Sequence, residues 1–153
     1  MRSDPELRAK WQAFRRGTIT SLVREVAKRV RAEAPGVKIR ASVFRHPRGD
    51  ALTVAQDWSA WCREGLVDII APMDSAADTD ELRRMLALQK PAAGDRVLTP
   101  SYYPSTHEDP DFGARELMDQ IGVGRAAGLP GFGVFTFDNR LIRMLTPGKE
   151  KPE

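Results

Sequence analysis

The chain has 153 residues, of which 41% are hydrophobic and 29% charged, so it is one domain's worth of an ordinary globular composition. Its formal charge of +3 is spread along the sequence rather than gathered in a stripe, which argues against nucleic acid as a partner. The lone Cys62 excludes an intramolecular disulfide and a Cys-rich zinc site, and no run is apolar enough for a signal peptide or a bilayer span.

Ser3-Asp4-Pro5-Glu6 reads as a helix start, with a capping residue, a proline in the first turn and acid near the positive end of the dipole. Leu7, Trp11, Phe14, Leu22, Val26 and Val30 follow at three-to-four-residue steps and predict one apolar face. Gly17-Thr18 is an expected kink, and Pro35-Gly36 ends the helix. Residues 38–44 form a short strand candidate, and 45–55 read as a polar, turn-rich loop. Asp57 is placed to cap a short helix carrying Trp58, Trp61 and Cys62.

Residues 66–73 are apolar except for Asp68, as expected of a parallel strand buried on both faces. The run Asp78 to Glu81 caps the next helix, with Leu82, Met85 and Leu86 inward, and 91–95 turn the chain back. A third strand over 97–102 is weakened by Pro100. A helix with Phe112, Leu117 and Ile121 then ends at Gly128. Residues 131–137 form the last strand, Asn139 or Asp138 starts a final short helix, and 147–153 read as a disordered tail.

The predicted fold class is therefore α/β, with four β/α units at a pitch of roughly thirty residues around a parallel sheet, close to half of a (β/α)₈ barrel. Residues 1–146 make up this unit. Four parallel strands alone leave two open hydrophobic edges, so the expected partner is a missing half-barrel or a second copy. Ile39, Val43, Ile69 and Phe135 are candidates to line the exposed interior.

In such folds ligands meet the C-terminal ends of the strands. That rule selects Asp74 as the candidate catalytic carboxylate, with Arg15, Arg16, Gln56, Asp57, Trp58, Met73 and Tyr102 as candidate substrate contacts. Carboxylates, aromatic rings and arginines on one rim suit a sugar site, because carboxylates act at glycosidic bonds and rings stack on sugars. Each also has a structural alternative: Asp57 and Asp138 as helix caps, Trp11, Phe14, Trp58 and Trp61 as packing residues. His46 and His107 lack metal-ligand partners at useful spacing, and Gly122, Gly124 and Gly128 do not fit a dinucleotide fingerprint. No cofactor or metal is expected.

Several segments taken in order resemble the glycosyl hydrolase-like 10 family. They are Trp11 to Val23, Pro35 to Ile39, Ser42-Val43-Phe44, Gln56-Asp57-Trp58, Trp61 with Glu64 to Asp68, Pro72-Met73-Asp74, and Gly131 to Phe135. The resemblance implies strands five to eight of a glycoside-hydrolase-like barrel acting on a glycan of the bacterial cell envelope or an environmental polysaccharide. It also implies a catalytic aspartate motif upstream of Met1, which leaves this chain alone inactive. Ser75 and Arg45 stand where relatives commonly carry tyrosine and proline. The sequence itself points to a cytoplasmic location by default, whereas the family is often exported.

Overall fold

A computed structural model describes residues 4–104 and 111–146; His107 and the expected tail at 147–153 lie outside them. Helix α1 (Pro5–Glu33) is followed by β1 (Arg40–Phe44), α2 (Gly49–Thr53), α3 (Trp58–Arg63), β2 (Ile69–Asp74) and α4 (Thr79–Ala93). Then come β3 (Val97–Leu98), β4 (Ser101–Tyr102), α5 (Ala114–Ala126), β5 (Gly133–Val134) and α6 (Asn139–Leu145). The expected alternation is present. All strand pairs are parallel, and the sheet runs β1, β2, then β3 and β4 side by side with β2, then β5.

β3 and β4 are one strand interrupted at Thr99-Pro100. Thr99 N–H still reaches the Ile70 carbonyl at 2.9 Å, while Pro100 has no N–H to offer and serves only as acceptor, from Gly133 at 2.8 Å. The weak third strand thus remains in register with both neighbours.

Side chains on adjacent rungs of a parallel sheet share a face, and successive residues alternate. One face carries Val43, Ile70, Leu98 and Tyr102, and these join Trp58, Leu82, Leu86, Leu117 and Ile121 in the core. Helices α3, α4 and α5 pack side by side in a layer. The other face, with Arg40, Ser42, Phe44, Met73, Val97 and Ser101, has no helix over it among the described residues. Ile69 and Phe135 fall on this open side. Ile39 and Val43, expected there, pack instead with the helix-side core, because they share the phase of Ala41 rather than that of Arg40.

Three local expectations are corrected, and a fourth is decided between its two alternatives. α1 is continuous through Gly17-Thr18, where the Thr18 hydroxyl donates to the Phe14 carbonyl at 3.0 Å and stays within the helix. The 45–55 segment contains α2, held by reciprocal bonds in which His46 N–H donates to Asp50 and Gly49 N–H donates to His46 Nδ1. α4 continues through Pro91 to Ala93 before Gly94, at φ 57°, turns the chain out. Of the two starts offered for the last helix, Asp138 is the cap of α6, accepting from the Arg140 and Leu141 amides.

The largest correction concerns α1. Its packed side is Ile19, Val23 and Ala27, whereas Leu7, Trp11, Phe14, Leu22 and Val26 are exposed. The apolar spacing was that of a helix, but the core and α3 engage a different face.

Candidate functional site

Asp74 is the last residue of β2 and lies opposite Tyr102 of β4. Both side chains turn toward the helices rather than the open face. Asp74 is 0% exposed; its Oδ1 accepts from Gln89 Nε2 at 2.7 Å, and the same amide donates to the Arg45 carbonyl at 2.9 Å. Gln89 thereby ties the end of β2 to the loop after β1. The Tyr102 hydroxyl donates to the Gln120 carbonyl of α5 at 3.2 Å, close against Gly124, where a Cβ would come within 2.7 Å of it.

Two buried oxygens in this cluster have no partner, Asp74 Oδ2 and Gln89 Oε1. Burial pushes Asp74 up to about 6, with the Gln89 amide and the Arg45 charge pulling the other way and Glu81 adding to the rise. A proton on Oδ2 turns an acceptor into a donor beside a residue whose own carbonyl oxygen is unmatched, so the neutral acid fits this pocket better than the carboxylate. Glu81 moves oppositely: the Ala77 N–H and the nearby Arg45 hold it below its ordinary value. Arg45 bonds Glu81 at 2.7 Å and the Ser75 carbonyl at 2.8 Å.

Two carboxyls pushed apart in this way match the pattern of an acid/base pair. However, Asp74 presents no surface to a ligand, and Glu81 is engaged by its own loop. The arrangement is a latch joining three segments.

The other candidates are dispersed. Arg15 Nη1 donates to the Thr53 carbonyl at the end of α2, 3.3 Å away, and Arg16 Nη1 is buried without a partner. Gln56 Oε1 accepts from the Phe44 N–H at 2.9 Å, covering the edge of β1; Ala55 just before it adopts φ 63°. Asp57 caps α3, accepting from Ala60 N–H at 3.2 Å. Trp58 is enclosed in the core. Met73 alone points from its strand end to the open face. The structure therefore brings Gln56, Asp57 and Trp58 together near the end of β1 and pairs Asp74 with Tyr102, but it does not join the two groups around one cavity.

The arginine beside Asp74 is Arg45 rather than Arg15 or Arg16. Gln89 went unnoticed in the sequence, although it continues the inward spacing of Leu82 and Leu86 on α4, and a polar residue at such a position is a detectable signal. At the same end of the open face, Tyr103 and Phe135 pack with ring centroids 4.8 Å apart. Burial, followed by the Asp74 charge, raises Tyr103 above its ordinary value.

A groove of about 710 Å³ runs between α4 and α5, lined by residues that include Leu86, Lys90, Gly122, Val123 and Ala126, none of them a candidate. No helix among the described residues is long and apolar enough to cross a membrane. No protein-family model matches the chain, and neither does any curated protein sequence.

Proposed function

We propose that the chain is half of a glycoside-hydrolase-like (β/α)₈ barrel and that it contacts a glycan at the C-terminal ends of its strands, on the open face of the sheet. The observation that carries this reading is the one-sided helix layer. A doubly wound sheet covers both faces, whereas a barrel keeps its helices outside and its ligand at the rim where the strands end. Met73, Tyr103 and Phe135 supply that rim with an apolar and aromatic surface, and aromatic rings with a polar tip suit a ligand that is apolar on one face and hydroxylated at its edges.

In this reading Asp74 does not touch the sugar. It shapes the rim from behind through Gln89 and the Arg45 loop. Glycoside hydrolysis normally needs two placed carboxylates on either side of the bond, so the chain alone binds without turnover.

Isothermal titration with soluble peptidoglycan fragments and β-linked oligosaccharides tests this. Binding by the intact protein, weakened at least tenfold in Tyr103→Ala with unchanged circular dichroism, is the expected result. Absence of binding to every class of glycan overturns it. A second reading, a purely structural half-barrel module, is favoured by the zero exposure of Asp74 and predicts that negative outcome.

A further inference from the structure

We infer that two copies of this chain close an eight-stranded barrel about a two-fold axis along the barrel, with the far flank of α1 packed on the partner's β5–α6 end. The inference rests on the half-barrel reading above but not on glycan binding.

Three separate unpartnered features lie where such a closure would cover them. The first is the flank of α1. Thr20, Arg24 and Arg31 face α3 and its exit, through Trp61, Glu64 and the Gly65 carbonyl. Leu7, Trp11, Phe14, Leu22 and Val26 lie roughly 100–180° around the helix from the centre of those contacts, at ~100° per residue. The apolar stripe thus points away from α3, to the side where the helix of a preceding unit would stand. It is well exposed, at 58% for Trp11, 63% for Phe14 and 62% for Leu22, and Trp11 stacks on Phe14 with centroids 5.7 Å apart.

The second feature is the opposite end of the unit, where Phe137, Ile142 and Leu145 are exposed beyond β5 and along α6. The third is the sheet itself. β1 and β5 each have a neighbour on one side only among the described residues. The Phe44 N–H points away from β2 and is taken by Gln56; by alternation the amides of Arg40 and Ser42 also face outward.

A rotation about the barrel axis preserves strand direction. It lays β5 of one copy alongside β1 of the other as another parallel pair, at both seams at once, and sets α1 over each seam. Four strands become eight, the number at which a barrel interior is just wide enough for side chains to fill. With about half of each ring or aliphatic chain in water in the single chain, the α1 flank together with Phe44, Val97, Phe137, Ile142 and Leu145 offers on the order of 1,000 Å² per copy, above the ~800 Å² per partner of a standard stable interface. The contact is self-complementary, as a two-fold requires: each α1 meets the other copy's α6 end.

Light scattering on the purified chain at about 50 μM tests the closure, alongside Leu22→Glu on the α1 flank, Ile142→Glu on α6 and Leu88→Glu on the exposed outer side of α4 as control. The expected mass is twice the 17.0 kDa of one chain for the parent and the control, and a single chain mass for the two interface variants. Hydrogen exchange should slow at the Arg40 and Ser42 amides in the parent and quicken again in both interface variants. A well-folded monomeric parent, an open-ended assembly larger than two, or a dimer indifferent to both charges each overturns the inference. Loss of sugar binding in Tyr103→Ala leaves the mass unchanged, so the two proposals fail separately.

Discussion

Asp74→Asn is expected to stabilise the protein at neutral pH and to flatten its pH dependence. The folded-state value of Asp74 lies at about 6 against an ordinary value of 3.8, so between those limits the folded chain holds a proton that the unfolded chain releases. The stabilisation linked to that proton is complete below about pH 4 and is lost as pH rises through 6. At ~1.4 kcal/mol per unit, the difference corresponds to about 3 kcal/mol by pH 7.5. Asparagine keeps the shape, accepts from Gln89 Nε2 as the carboxyl does, and offers an N–H₂ in place of the unmatched Oδ2. Thermal unfolding at pH 7.5 should therefore move up by roughly 5–10 °C in the variant, with little change at pH 4. Asp68 and Glu81, both held low, act in the opposite sense and lose stabilisation on acidification. Comparing variant with parent across pH isolates the Asp74 contribution from theirs. An unchanged or lowered melting temperature at pH 7.5 would show that the carboxylate is well accommodated as an anion.

The architecture was largely legible because the strands announce themselves twice, as apolar β-rich runs and as partners of the capped helices between them. Asp4, Asp57, Asp78 and Asp138 all start helices by accepting backbone amides, and such caps are local chemistry that a sequence displays directly. What spacing cannot display is which face of an element meets a neighbour. α1 carries two apolar stripes, and the longer, more aromatic one is the exposed one. The same ambiguity governs the site. A position at the end of a strand is fixed by the chain order, but a shift of one residue exchanges the two faces of the sheet. Asp74 and Tyr102 thus belong to the helix layer, while their neighbours Met73 and Tyr103 take the open side. The latch itself was hidden because its members are 15 and 44 residues apart, Gln89 to Asp74 and Gln89 to Arg45, and no local pattern links them.

Trp58→Ala should cost 3–5 kcal/mol, the ordinary range for deleting a buried tryptophan side chain. Trp58 is 0% exposed and packed in the core, so its ring cannot stack on a ligand, and the loss should appear in stability rather than as weaker binding at saturating fold. The companion variant separates volume from polarity. Trp58 Nε1 is buried without a partner, and an unmatched buried donor costs roughly 1–3 kcal/mol. Trp58→Phe removes that group together with part of the ring, so the cavity cost and the relieved polar cost offset, and the net change should stay within about 1–2 kcal/mol. Urea titration of the three proteins measures both differences, with the same slope expected throughout because the fold is unchanged. A Trp58→Phe variant as unstable as Trp58→Ala would mean that the indole N–H is satisfied in solution. A Trp58→Ala variant that keeps the parent's stability but loses oligosaccharide binding would return this residue to the sugar platform that the sequence suggested.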